Sequence, residues 1–277
     1  MDSVRAGTSA PRVAAAINVS PESFFKGSVP ADEEELLRRV AQAEAGGAGM
    51  IDVGAMSTAP YKETRIGEEE ERSRMAAALR AIRPRTGLLL SADTQRASVA
   101  EAALAEGADV VNDVSGLSAD PRMGEVVGRT GCRVVLMANG AEGVPEEGDA
   151  PPEVIVRLLE AALERARRAG VAEENVILDP GIGFFRHQAL SWLEWDMAVL
   201  QGLERVVALG HPVLVGASRK SFIGRLLGRE RAEDRLAGSL AVALWCAEKG
   251  AAWVRVHDVA ETRDMLRMWE FLRGGAT

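Results

Sequence analysis

Short β-branched runs ending in a polar residue alternate along this chain with longer stretches of helical period. The runs are RVAAAINV (12–19), MIDVGA (50–55), LLLSADT (88–94), DVVNDVS (109–115), RVVLMAN (133–139), NVILDPG (175–181), PVLVGAS (212–218) and WVRVHDV (253–259). Ala/Leu/Glu/Arg-rich stretches of helical period separate them, at roughly 32–46, 68–83, 96–106, 120–129, 152–169, 190–208, 231–249 and 260–272. Strongly apolar strands alternating with amphipathic helices predict a parallel sheet covered by helices. Eight such units predict a closed (β/α)8 barrel, an α/β fold of one domain over 12–277 behind a flexible N-terminus at 1–11. An open doubly wound sheet is the alternative layout. It usually carries a Gly-rich phosphate loop after its first strand, where this chain has NVSPESFFKG and no G-x-G-x-x-G.

Local punctuation agrees with the periodicity. Gly46-Gly47, Gly107 and Gly170 stand where helices should stop. Asp120-Pro121 has the form of an N-cap with proline at the first helical position. The stretch GAEGVPEEGDAPP (140–152) reads as a polar loop after the fifth strand.

Composition narrows the partners. A length of 277 residues suits one barrel, and 47% hydrophobic residues suffice for its core. A net charge of −8 and a pI near 5.2 argue against nucleic acid or an anionic membrane as the main partner. They leave room for a small anionic substrate held by a local basic cluster. Cys132 and Cys246 lack zinc-site spacing and read as reduced core residues of a cytoplasmic protein. The opening MDSVRAGTSAPR has no apolar segment of signal-peptide kind, and no run approaches a membrane span.

In such a barrel the site is built from the C-terminal ends of the strands. Those positions hold Asn18, Asp52, Asp93, Asn112 with Asp113, Asn139, Asp179, Ser218-Arg219-Lys220, and Arg255 with His257 and Asp258. Asp52 and Asp113 could each be a cap or turn former. The set as a whole is richer than caps require. Carboxylates and amides suit a flat heterocycle that presents amino and N–H donors beside a carbonyl. Lys220 could meet the carbonyl, and Arg255 could stack on the ring. Arg255 and His257, two apart on a strand, face the same side. Asn18, Arg219 or His257 could hold a phosphate group, directly or through a metal.

At these residues the chain resembles the dihydropteroate synthase family of pterin-binding barrels, in order over about residues 12–272. NVSPESF is similar to the family's NVTPDSF, IDVGAMST to DIGGEST, and LSADT with GADVVNDVSG to SVDT and GADIINDVSG. ILDPGIGF, PVLVGASRKSFIG and RVHDV are close to the family wording. The resemblance implies that a 7,8-dihydropterin-6-ylmethyl diphosphate loses diphosphate with the help of Mg²⁺. The amine of p-aminobenzoate then attacks the pterin methylene to give 7,8-dihydropteroate. It further implies that Asp93, Asn112, Asp179 and Lys220 grip the pterin, with Met137 packed on the ring and Arg255 stacked on or flanking it. Asn18 would coordinate Mg²⁺, and Arg255 and His257 would hold the diphosphate. Thr58, Pro60, Phe184, Lys220 and Ser221 would border the p-aminobenzoate site, with the catalytic roles falling to Lys220, Asp93, Arg255 and His257. Met137 and Phe184 also fit plain core packing, and Asp179 with Lys220 a structural ion pair. A homodimer and sensitivity to sulfonamides, mimics of p-aminobenzoate, come with the resemblance.

The departures cluster in loops. Lys26 stands where the family has Asp, and Met56-Ser57-Thr58-Ala59-Pro60-Tyr61 where it has Glu-Ser-Thr-Arg-Pro-Gly. Phe185-Arg186 replaces Gly-Lys, and Ala138 replaces a His. Phe25 beside Phe24 could narrow the p-aminobenzoate mouth. The alternatives are a pterin barrel with other chemistry, such as a methyltetrahydrofolate–corrinoid methyltransferase, and a non-catalytic pterin-binding paralogue.

Overall fold

In the computed structural model, residues 10–20, 30–56, 66–139, 148–185 and 191–274 are described. The β-branched and alanine-rich runs form eight strands: β1 Arg12–Asn18, β2 Met50–Gly54, β3 Leu89–Asp93, β4 Val110–Asp113, β5 Arg133–Met137, β6 Val176–Asp179, β7 Leu214–Val215 and β8 Trp253–Val256. All pair in parallel, in the order β6-β5-β4-β3-β2-β1-β8-β7. A bridge between Leu178 and Val213, with the Leu178 N–H donating to the Pro212 carbonyl at 2.9 Å, brings β6 back to β7. The barrel is thus nearly closed, as the eight-unit pattern predicts.

Ten α-helices are found among the described residues: α1 Glu33–Ala45, α2 Glu68–Ile82, α3 Ala97–Ala105, α4 Met123–Thr130, α5 Pro151–Arg168, α6 Trp192–Gln201, α7 Leu203–Val207, α8 Ser221–Leu227, α9 Leu236–Glu248 and α10 Val259–Leu272. Capping follows ordinary chemistry at α1, where the Asp32 carboxylate accepts from the Glu35 N–H at 2.8 Å ahead of three glutamates.

Three expectations change in detail. The stretch 190–208 is two helices broken at Gly202, against which Pro152 of α5 packs; a Cβ there would lie 2.6 Å from the Pro152 ring. Asp120 does not cap α4, which begins at Met123. It accepts from the Arg122 N–H in a turn and caps the neighbouring α3 through the Ala97 N–H, both at 2.9 Å. Strand β7 is two residues long, and α8 follows it as an extra helix.

Two apolar layers hold the frame. One lies between the strands and the surrounding helices. The other fills the barrel axis with Ala14, Met50, Val110, Val135, Ile177, Leu214 and Trp253. Every member of that axial set is buried, the usual filling of such a barrel by alternate inward side chains. Residues 1–9 lie outside the described residues; Ala10 is tied through its N–H to the Glu270 carboxylate of α10 at 3.1 Å. No helix among the described residues is long and apolar enough to cross a membrane.

Candidate active site

Strand periodicity of two decides which side chains enter the barrel. From the axial residues it carries inward parity to Asn18 on β1, Asp52 and Gly54 on β2, Ser91 and Asp93 on β3, Asn112 on β4, Met137 on β5, Asp179 on β6 and Arg255 on β8. The register sets Asn18 beside Gly54, Gly54 beside Asp93 and Asp93 beside Asn112, one row around the rim. Asp52 and Ser91 form the row beneath.

Arg255 rises from the β8 wall and crosses toward β2 and β3. Ala14 and Ala16, the inward residues beside it on the intervening β1, are small and leave it room. Its Nε donates to Asp52 at 2.5 Å and its Nη2 to Asp93 at 3.2 Å. Asp52, fully buried, also accepts from the Ser91 hydroxyl at 2.5 Å and from the Asn112 amide at 3.2 Å. Asp52 is therefore neither cap nor turn former; it is the keystone beneath the rim, a role the sequence reading left open. Its inward parity, two residues before Gly54, was the available signal.

Above that keystone two buried acceptors, Asp93 Oδ1 and Asn112 Oδ1, have no hydrogen-bond partner among the described residues. Buried acceptors without donors are costly, so this corner suits a ligand that presents N–H groups. Burial, followed by the opposing pull of Arg255 and the repulsion of Asp52, pushes the Asp93 carboxyl up to about 7. Burial also raises Asp179, against the pull of Lys220. Asp179 accepts from the Gly181 N–H at 2.8 Å, and Met137, its register partner, is buried beside it.

The β7 side supplies the lysine. Lys220 Nζ donates to the Ile182 carbonyl and lies 4.7 Å from the centroid of the Phe184 ring. Its stem crosses Gly183, whose φ of +85° and lack of Cβ both matter: a Cβ would sit 2.9 Å from Lys220 Cδ. Ser221 opens α8 next door. Gly54 plays the matching part for Asn18, since a Cβ there would lie 2.9 Å from Asn18 Oδ1.

Arg219 is turned away from the substrate side. Its backbone is left-handed (φ +56°), and its guanidinium binds Asp258, through Nε at 2.8 Å, and the carbonyls of Ala232 and Glu233. It braces the loops after β7 and β8, so the reading of Arg219 as a phosphate ligand is corrected. His257 joins the same brace through Nδ1 and the Ser218 hydroxyl, 3.1 Å apart. Burial, then Arg255, Arg219 and Lys220, hold its pKa down at about 3, so the imidazole is neutral at physiological pH.

Other strand-end residues serve the scaffold. Asp113 accepts from Ser115 and Leu117 and shapes the turn after β4, one of its two expected roles. The Asn139 amide donates to the Ser118 hydroxyl at 3.3 Å, and Ala138 is buried in the outer core. Phe185 is buried and stacked on Trp195 of α6, ring centroids 4.9 Å apart, so this departure points away from the rim. Thr58 and Pro60, with Phe24, Phe25, Lys26, Ala59, Tyr61 and Arg186, lie outside the described residues.

Similarity to known proteins agrees with this geometry. The model of a family described as pterin binding enzyme matches residues 14–257. The dihydropteroate synthase of Bacillus subtilis is 37% identical over 261 residues, 94% of this chain and 88% of the relative. That of Mycobacterium leprae is 37% identical over 268 residues, covering 93% and 92%. Among solved structures, the Clostridium difficile dihydropteroate synthase with pteroic acid superposes with a TM-score of 0.85 at 32% identity, covering 96% of this chain and 97% of that one. The Xanthomonas albilineans enzyme in complex with 7,8-dihydropteroate gives 0.83 at 34% identity, covering 95% and 94%. Yersinia pestis dihydropteroate synthase with a sulfonamide drug complex gives 0.86 at 32%, covering 96% and 95%. With its strand-end carboxylates, amide and lysine on one rim, the chain belongs to the pterin-binding enzyme family and groups there with the dihydropteroate synthases, transferases of a pterinylmethyl group.

Proposed function

We propose that this rim binds a 7,8-dihydropterin-6-ylmethyl diphosphate and transfers its pterinylmethyl group to p-aminobenzoate. The observation that carries the reading is the pair of buried, donorless acceptors on Asp93 and Asn112, backed by the Asp52–Arg255 ion pair. They match the amino and ring N–H edge of a pterin. Lys220 then meets the ring carbonyl from the β7 side, with Asp179 beneath and Met137 against the ring.

The methylene carbon–oxygen bond to diphosphate breaks, and the bonding pair leaves with the diphosphate. The pterin cation left behind is stabilised by preorganised carboxylates at Asp93 and Asp179. The p-aminobenzoate amine forms the new carbon–nitrogen bond and gives up a proton to solvent. His257, neutral, hydrogen-bonds the diphosphate, while Arg255 supplies positive charge from the barrel wall. Phe184 and Ser221 border the p-aminobenzoate.

Mg²⁺ fits this site as an ion carried on the diphosphate. Among the described residues no group of three His, Cys, Asp or Glu could hold a metal. The Asn18 amide oxygen, given space by Gly54, would be the protein ligand of such an ion. Mg²⁺ commonly takes one or two protein oxygens and completes its shell with water and substrate phosphate. Its chemistry when bound is to neutralise the departing diphosphate.

The test combines pterin diphosphate, p-aminobenzoate and Mg²⁺ with the purified protein and measures diphosphate and dihydropteroate. Turnover abolished by Lys220→Ala is the expected result; pterin binding without turnover would refute the transferase reading. The sulfonamide complex of the Yersinia enzyme supports inhibition of this chain by p-aminobenzoate mimics in the same assay. A cytoplasmic homodimer accompanies the proposal. Support for the dimer comes from α9, whose only charged residue is its last, and from exposed Trp245, Leu226, Leu227 and Met268 on α9 and its neighbours.

A further inference from the structure

A buried carboxylate outside the rim remains without a role in the chemistry above. Asp196 lies on α6, on the outer side of the barrel, and is fully buried. Its Oδ1 accepts the Gly183 N–H at 2.8 Å. That N–H belongs to the same peptide unit as the Ile182 carbonyl, and the Ile182 carbonyl is the acceptor of Lys220 Nζ. One planar amide therefore joins a carboxylate on its N–H side to an ammonium on its C=O side. An amide cannot rotate one end without the other, and each charge polarises the group so that the opposite hydrogen bond strengthens.

The surroundings hold this amide in place. Gly183 has φ +85°, a conformation that glycine adopts without the steric cost of a Cβ. Phe185, two residues on, stacks on Trp195, the residue before Asp196. The Phe184 ring between them lies beneath the ammonium. Helix α6 thus grips the loop after β6 at adjacent points, and the loop presents one carbonyl to Lys220.

We propose that Asp196 is a positioning residue for Lys220, acting through the 182–183 peptide to fix where the ammonium meets the pterin. It touches no substrate. The inference rests on the assignment of Lys220 as a pterin contact.

The test is a double-mutant cycle on the full chain, read by calorimetric binding of a 7,8-dihydropterin. Asp196→Leu is expected to weaken binding about tenfold, the scale of one hydrogen bond to a charged group. Asp196→Asn, which keeps the acceptor oxygen, should restore affinity to within about threefold of the parent, the scale of a weakened bond that is still made. Lys220→Met should weaken binding by itself, and adding Asp196→Leu to it should cost nothing more. A merely structural Asp196 would give additive losses, and that outcome overturns the proposal. Unchanged binding in Asp196→Leu, with Lys220→Met impaired, overturns the positioning role and leaves the Lys220 assignment standing. Unchanged binding in Lys220→Met removes both. Should Asp196→Leu not fold, Lys220→Met reads the link from the other end. Its Gly183 amide proton resonance should move upfield as the bond to Asp196 weakens, and an unmoved resonance overturns the proposal.

Discussion

The lower and upper halves of the barrel interior are made by the same strands and the same inward parity, yet their chemistry is opposite. A step of two residues along five of the eight strands turns Met50 into Asp52, Leu89 into Ser91, Val110 into Asn112, Ile177 into Asp179 and Trp253 into Arg255. The lower set packs as hydrocarbon; the upper set is a network of buried charges and amides. Ion pairs taken out of water contribute little net stability and are costly when broken. The lower half thus supplies the stability of the barrel interior, and the upper half carries its polar chemistry.

The sharpest way to break this contrast is Arg255→Met. It removes the cation that Asp52 and Asp93 share, leaving two buried carboxylates close together. Urea unfolding should show a loss of about 3–5 kcal/mol, and dihydropteroate formation should fall below detection. Unchanged stability would mean that the upper network is solvated rather than buried. Ile177→Ala acts one step below. It should cost about 2–5 kcal/mol of stability, while the folded protein keeps its pterin affinity within about twofold, because the truncation removes none of the polar groups of the rim. A large loss of affinity would show that the two halves are not separable.

A smaller effect comes from Asp93→Asn. The Asp93 carboxyl is raised to about 7 in the folded chain, against about 3.9 when unfolded. Between those values the folded state keeps a proton that the unfolded state has lost, so Asp93 lowers stability as pH rises through the window. The thermal midpoint of Asp93→Asn relative to the parent should climb from about pH 4 to about pH 7 and then level off. A difference independent of pH would mean that Asp93 titrates like an exposed carboxyl.

The same parity explains what could be read from the sequence. Eight apolar runs revealed the barrel, and Asp93, Asn112, Asp179, Lys220, Arg255 and His257 could be singled out as candidates because the strand ends of such a barrel form its site. Asp52 stood in the same strand-end list, but a carboxylate near a strand end also resembles a cap, and only its three partners from other strands decide between the two. Arg219 and Lys220 are consecutive loop residues, and no periodicity orients them. A left-handed backbone at Arg219 sends one to Asp258 and the other to the Ile182 carbonyl. Phe185 looked like an altered substrate loop, and its burial depends on Trp195, a partner ten residues away. Asp196 had no motif to mark it.

The thin seam between β6 and β7 has a consequence of its own. Among the described residues one bridge, Leu178 to Val213, joins these strands, and β7 is only two residues long. Asp179 leaves one lip of the seam and Lys220 lies beyond the other. A pterin held by both would act as a buckle on an otherwise lightly fastened hoop. Closure of the hoop and occupancy by the substrate then reinforce each other, so the loaded protein should withstand heat and urea better than the empty one, with the gain concentrated in the strands at the seam.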